Sequence, residues 1–254
     1  MTTEATIINE QLIETPIEPK TSLIKTILWL VVIVFLPSII LFFGFGIFFG
    51  IQGSGFSEEG ASAWFASIPV MLAMALIAPL LTLPLLSIAT QAENWGDRFD
   101  FWAVRAIHAK ALVKWLVAGL IFWLVSSFIG EWLNLPVEQF LLDIKTASDN
   151  AVVVILMVVT ICIVVPVMEE LVFRGWLYSK IAKSKLGHSG ALILSSIIFT
   201  VIHTQYDNAI TLVMIFLLSL LLGFVRYKSG NISYSIAIHM LYNTLATIAL
   251  FFFL

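Results

Sequence analysis

Seven apolar stretches, at 22–50, 63–90, 111–133, 150–174, 189–205, 208–226 and 231–254, take up about two-thirds of this 254-residue chain. Each is near the ~20 residues that cross a hydrocarbon core at 1.5 Å per residue. Lipid offers no hydrogen-bond partner to the backbone, so such stretches must close their own bonds as helices. With 60% hydrophobic and 11% charged residues and twenty Phe, the composition excludes a soluble domain and a nucleic-acid binder. The fold class expected is an all-α integral membrane protein, a multi-pass bundle of about seven transmembrane helices. The first two stretches are long enough to tilt or kink, with Pro37, Pro69, Pro79 and Pro84 as break points.

Residues 1–20, with Glu4, Glu10, Glu14 and Glu18, read as an acidic, disordered tail, and residues 21–254 as a single polytopic domain without repeats. The acidic start is unlike a secretory signal, so the first apolar run is expected to be a retained helix. Residues 50–60 form a Gly-rich loop, and 91–110 a longer one with room for an interfacial helix at 99–109. Cys162, the only cysteine, excludes an intramolecular disulfide or a cysteine-based metal site and reads as a core residue. Twelve of the thirteen Lys and Arg belong to one side of the bundle, Lys145 being the exception. By the positive-inside rule that side, and the N-terminus with it, is cytoplasmic, and the C-terminus lies outside.

Few ionisable groups remain at membrane depth: Glu169, Glu170 and Arg174 on the fourth stretch, His203 closing the fifth, and His239 in the seventh, with Asn243 one turn further on. Charges there are costly and are usually paired, inward-facing and functional. Spacing of four pairs Glu170 with Arg174, while Glu169, about 100° further round, is free to face elsewhere. If the fourth helix ended at Glu170, its carboxylates would lie ~20 Å from His203 in depth. The helix is therefore expected to continue to about Lys183, bent near Pro166, which brings Glu169 level with His203 and His239.

A carboxylate and two imidazoles from three helices suit Zn²⁺, with an open position for an activated water. They equally suit metal-free catalysis, in which Glu169 and a His activate water and His239 and Asn243 steady an oxyanion. Spacing does not choose between the two. Either way water and an extended peptide must reach the site, and a polar cavity opening to the cytoplasmic side is expected. A non-catalytic use of the same groups, Glu170 with Arg174 and His239 with Asn243 as packing pairs in a membrane scaffold, is the alternative. Proton-coupled transport is disfavoured by the lack of internal repeats. Phe199 reads as packing, His108 and His188 as solvated loop residues. Lys180, Lys183 and Lys185 read as anchors at an anionic leaflet, and Trp176 and Tyr178 as an interfacial belt or the mouth of a lateral opening.

Glu169-Glu170-xxx-Arg174, Phe199-xxx-His203 and His239-xxx-Asn243 resemble, in order, the three motifs of the CPBP family, the CAAX-protease and bacteriocin-processing group also called Abi. The resemblance covers about 150–254. It implies an intramembrane endopeptidase acting on membrane-associated or CAAX-like peptide substrates in a plasma membrane. It also implies that Glu169 activates water, that His203 and His239 serve as ligands or proton-handling partners, and that Asn243 is an auxiliary ligand or oxyanion donor. By the same resemblance Glu170 and Arg174 would hold the site together. Members are described both as zinc enzymes, for which Glu169, His203 and His239 would be the metal set, and as glutamate enzymes. A catalytically inactive scaffold or bacteriocin-immunity protein is the alternative function.

Overall fold

The structure, a computed structural model, describes residues 22–51, 60, 63–64, 67–148 and 150–253. The acidic tail and most of the 50–60 loop lie outside the described residues. Nine helices and no strands occur among the described residues. They are α1 (Leu23–Ile51), α2 (Ile68–Thr90, interrupted at Ala78), α3 (Trp95–Trp102), α4 (Ala109–Trp132) and α5 (Gln139–Ala147). The chain continues through α6 (Ala151–Ala182), α7 (Gly187–Val201), α8 (Ala209–Ser229) and α9 (Ile232–Phe252). Six of them, α1, α2, α4, α6, α8 and α9, are long and apolar enough to cross a membrane. The protein is an all-α, multi-pass membrane bundle.

The fifth apolar stretch differs from the expected span. α7 has fifteen residues, ~22 Å of helix against a ~30 Å core. It stops where the sequence turns polar: the chain bends, with His203 N–H donating to the Thr200 carbonyl (3.0 Å) and Tyr206 N–H to that of His203 (3.3 Å). Irregular backbone at such depth is tolerated where it lines a cavity.

α6 runs through the carboxylates to Ala182, as the depth argument requires, but it is not a uniform helix. Thr160–Val164 and Leu171–Leu177 are π-helical. Pro166 supplies a reason for the first, since its ring removes an N–H and crowds the preceding turn. The second is wholly buried, Leu171 to Leu177 all lying inside the bundle. Trp176 and Tyr178 are 0% and 1% exposed, so they form no interfacial belt and no lateral mouth. They belong to the largest core, with Trp102, Leu86, Ile181 and Phe199. Gly175 makes that packing feasible: a Cβ there would stand 3.1 Å from the Trp102 Cβ.

The basic side of the bundle is stitched by hydrogen bonds. The interfacial helix begins earlier than expected because Asn94 caps it, its Oδ1 accepting from Asp97 N–H (3.0 Å), and it ends at Ala103, in a left-handed conformation (φ 55°). The following strand of chain is pinned to the α8–α9 turn: Asn231 Nδ2 donates to the carbonyls of Arg105 and Ala106 (3.2 and 3.1 Å), and its Oδ1 accepts from Arg105 N–H (3.2 Å). Ile232 N–H donates to the Ala103 carbonyl and His108 N–H to the Tyr234 hydroxyl. His108 is exposed, as expected. His188 is exposed too but sits on α7 rather than in a loop, with Nδ1 3.1 Å from the Tyr178 hydroxyl.

Candidate active site

The five side chains singled out on α6, in the turn after α7 and on α9 meet, and Asn243 lines the same cavity. Glu170 and Arg174 are 0% and 1% exposed and form the expected pair, Nη1 donating to Oε1 at 2.9 Å. Arg174 is further held by Ser219 of α8, its Nη2 donating to that residue's Oγ (2.8 Å) and carbonyl (3.1 Å). Its guanidinium lies 4.4 Å from the centre of the Phe199 ring. Two hydrogen-bonded partners and an aromatic face compensate much of this buried charge, while Arg174 Nε and Glu170 Oε2 are buried without a hydrogen-bond partner.

Glu170 is not confined to that pair. The same Oε1 accepts from His239 Nδ1–H at 3.0 Å. A carboxylate already bound to arginine is an acceptor, so Nδ1 carries the hydrogen and the neutral ring keeps its lone pair on Nε2. That nitrogen stands 3.7 Å from Glu169 Oε2. His239 thus lies between the two adjacent carboxylates, one orienting the ring and the other facing its reactive edge.

His203 is oriented in a parallel way. Its Nδ1–H donates to the Phe199 carbonyl, one turn earlier, again leaving the lone pair on Nε2, which is 3.9 Å from Glu169 Oε1. Phe199 is 1% exposed and central to the arrangement, its ring 4.4 Å from that of His203, 6.0 Å from that of His239 and edge-on to Phe173. Packing is its role, as expected, although its carbonyl also sets a tautomer. Asn243 Nδ2 donates to the Ile161 carbonyl at 2.9 Å. In the π register this carbonyl would accept from residue 166, which is proline and has no N–H to give. Asn243 supplies the missing donor and ties α9 to α6.

These groups border a cavity of about 240 Å³. Its far wall comes from α2 and α5, with Ile68, Leu72, Phe140 and Ile144. Tyr206 also lines it; burial, aided by the neighbouring Tyr242, Glu169 and Glu138, pushes its phenol up to about 12. It is therefore a neutral O–H donor at ordinary pH. Sequence reasoning missed Ser219, Thr160, Tyr206 and Tyr242, which carry no motif, and the α2 and α5 wall, whose apolar residues look like lipid-facing ones.

The expected opening toward the cytoplasmic side is not what the structure has. On α6 the lining ends at Glu169, on α8 at Leu218, while on α7 it begins at Phe199 and on α9 at His239. Every helix contributes only its part away from the basic residues. Below Glu169 the space is filled by the buried Leu171–Leu177 segment, Trp102 and the stitched loops.

Both Nε2 atoms face a carboxylate, and each ring is oriented by an acceptor on Nδ1, as in histidine metal ligands. The donor types therefore suit zinc. The 3.7 and 3.9 Å separations are wider than the ~3.3 Å between neighbouring ligands on a tetrahedral ion with ~2.0 to 2.1 Å bonds. Among the described residues no group of three or more His, Cys, Asp or Glu is drawn together as a metal site.

A family model described as type II CAAX prenyl endopeptidase Rce1-like matches residues 151–245. This part of the chain is similar to the Rce1-like family. The match covers α6 to most of α9, every site residue included, and agrees with the CPBP resemblance of the three motifs. The chain is also similar to an uncharacterised 24.3 kDa protein of Escherichia coli, 36% identical over 138 residues, which are 52% of this chain. The match spans 62% of that relative's length. No solved structure matches the chain. α1 to α5, including the outer wall of the cavity, lie outside the Rce1-like segment.

Proposed function

We propose that the protein is an intramembrane endopeptidase that hydrolyses peptide bonds of membrane-associated substrates. The observation that carries this is the facing of two pre-oriented imidazole Nε2 atoms onto one carboxylate, across gaps of 3.7 and 3.9 Å. Those gaps exceed a direct hydrogen bond and suit an inserted water. Glu169 accepts a proton from that water as its oxygen attacks the peptide carbonyl carbon, and later delivers the proton to the departing amine. His203 and His239 hold the water and share the proton through Nε2. The second N–H of the Asn243 amide is a donor for the oxyanion that forms. Glu170 and Arg174 act through His239, fixing its tautomer and angle. The CAAX-type chemistry in the family's description supports this class of reaction.

Zinc is the second form of the same proposal: His203 Nε2, His239 Nε2 and the Glu169 carboxylate would hold it, and when bound it would supply a Lewis acid. Elemental analysis of purified protein beside its His203→Ala variant addresses it. Stoichiometric zinc in the first and none in the second supports the metal form; cleavage by fully metal-free protein refutes it.

The central test is Glu169→Gln, assayed in liposomes against single-span reporter segments. Loss of cleavage by about 10²- to 10⁴-fold is expected, with thermal unfolding unchanged because the Glu169 side chain is 22% exposed and outside the Arg174 pair. Undiminished cleavage would remove Glu169 from the mechanism. Wild-type protein that cuts no reporter, with Glu169→Gln equally neutral in cells, would favour the scaffold alternative.

A further inference from the structure

We propose that the substrate enters this site from the membrane face opposite the basic loops, as an extended peptide whose apolar side chains occupy the α2–α5 wall. The inference rests on the endopeptidase reading for its chemistry, but its geometry is independent of it.

Glu169 lies about 27 Å along α6 from Ala151 and about 20 Å from Ala182, at 1.5 Å per residue. Toward Ala182 the way is closed by seven consecutive buried residues, Leu171 to Leu177, and by the bonds from Asn231 to the chain at 105–106. Toward Ala151 lies the cavity. It is bounded there by the first turns of α2, by the short helix α5 and by the 202–208 turn. α5 connects the ends of α4 and α6 that lie away from the basic residues, and Glu138 at its start accepts from Asp207 N–H at 3.2 Å. Among the described residues this bond and the edge-on contact of the Phe140 and Tyr206 rings (6.4 Å) link α5 to the turn that carries His203.

The cavity also holds an unfilled hydrogen-bonding position. Thr160 is 1% exposed, lines the cavity and has no hydrogen-bond partner for its hydroxyl. A buried hydroxyl without a partner is costly, and threonine on a helix ordinarily satisfies itself on the preceding turn. An incoming peptide group supplies the partner, while Ile68, Leu72, Phe140 and Ile144 receive side chains. The rim discriminates by charge. Among the described residues on this face, Glu131, Glu138, Asp143 and Asp207 stand against the one cation Lys145. The segment it admits is neutral or basic rather than acidic.

The test uses full-length protein with Cys162→Ala and one added cysteine: Ala75→Cys inside the cavity, Met71→Cys one turn away as a second probe, or Lys185→Cys as the marker of the basic side. Each is treated with a small membrane-impermeant thiosulfonate in intact cells and in inside-out vesicles. Ala75→Cys and Met71→Cys are expected to react at least tenfold faster in intact cells, and Lys185→Cys in inside-out vesicles. Reaction of both cavity probes from the Lys185 side, or from neither face, overturns the proposal. Reporter segments with the scissile stretch on either face add the substrate arm. Cleavage on the outer face supports the proposal and cleavage confined to the Lys185 face refutes it. If neither reporter is cut while the thiol pattern holds, the access route stands and the peptidase reading fails.

Discussion

Replacing Glu170 by alanine separates the two adjacent carboxylates by their energetic roles. Glu170 Oε1 accepts two hydrogen bonds from charged or polarised donors, Arg174 Nη1 at 2.9 Å and His239 Nδ1 at 3.0 Å. Bonds to charged groups contribute about 1.5 to 3 kcal/mol each. The substitution also leaves a guanidinium that is 1% exposed without its counter-charge, although both bonds to Ser219 survive. Breaking a buried pair from one side typically costs about 3 to 5 kcal/mol, and that is the destabilisation expected here. At ~2 to 4 °C per kcal/mol for a chain of this size, the midpoint should fall by roughly 10 °C. Cys162, 3% exposed and the only cysteine, makes a thiol-reactive fluorogenic dye a direct reporter of unfolding in detergent. Glu169→Ala in the same assay should lower stability by under about 1 kcal/mol, as for a substitution with no direct hydrogen bond to lose. Adding Arg174→Ala to Glu170→Ala should recover part of the loss, because the stranded charge is removed. A Glu170→Ala midpoint within 2 °C of wild type, or an equal fall for Glu169→Ala, would refute this division of labour.

Two structural predictions follow from close contacts elsewhere. Gly119→Ala places a Cβ 2.7 Å from Ile238 Cγ2, which must push α4 from α9 at a cost of about 1 to 3 kcal/mol; the additional change Ile238→Ala should relieve it, and an unaltered melting curve for Gly119→Ala alone would show that the interface yields freely. Asn231→Ala removes the bonds to 105–106 together with the cap on Ser233 N–H (2.9 Å), so a loss of about 2 to 3 kcal/mol and new proteolytic cutting at 103–108 are expected. Unchanged protection of that segment would mean that its other contacts suffice.

Much of the site was legible because helix spacing is a property of sequence. Glu170 and Arg174 are four apart and do pair; His203 and Phe199 are four apart and do touch; and the depth argument required α6 to pass its charges, which it does to Ala182. Other features were not legible. A π turn slips the helix by a residue without altering apolar periodicity, so Thr160–Val164 and Leu171–Leu177 left no sequence signal beyond Pro166. Trp176 and Tyr178 looked like interfacial aromatics because an indole or phenol beside lysines suits a membrane surface as well as a core. Only tertiary packing buries them, against Leu30 of α1, Leu86 of α2, Trp102 of α3 and Ala191 of α7.

Sequence alone therefore determined the membrane class, the continuation of α6 past its charges and the identity of the polar set, all consequences of local periodicity and of the cost of charge in lipid. Tertiary structure decided that Glu170 orients His239 as well as pairing with Arg174, and that Asn243 replaces the donor that Pro166 lacks. It also decided which side of Glu169 is hollow. Those depend on how helices far apart in the chain meet, and an apolar side chain reads alike in sequence whether it faces lipid, a neighbouring helix or a substrate.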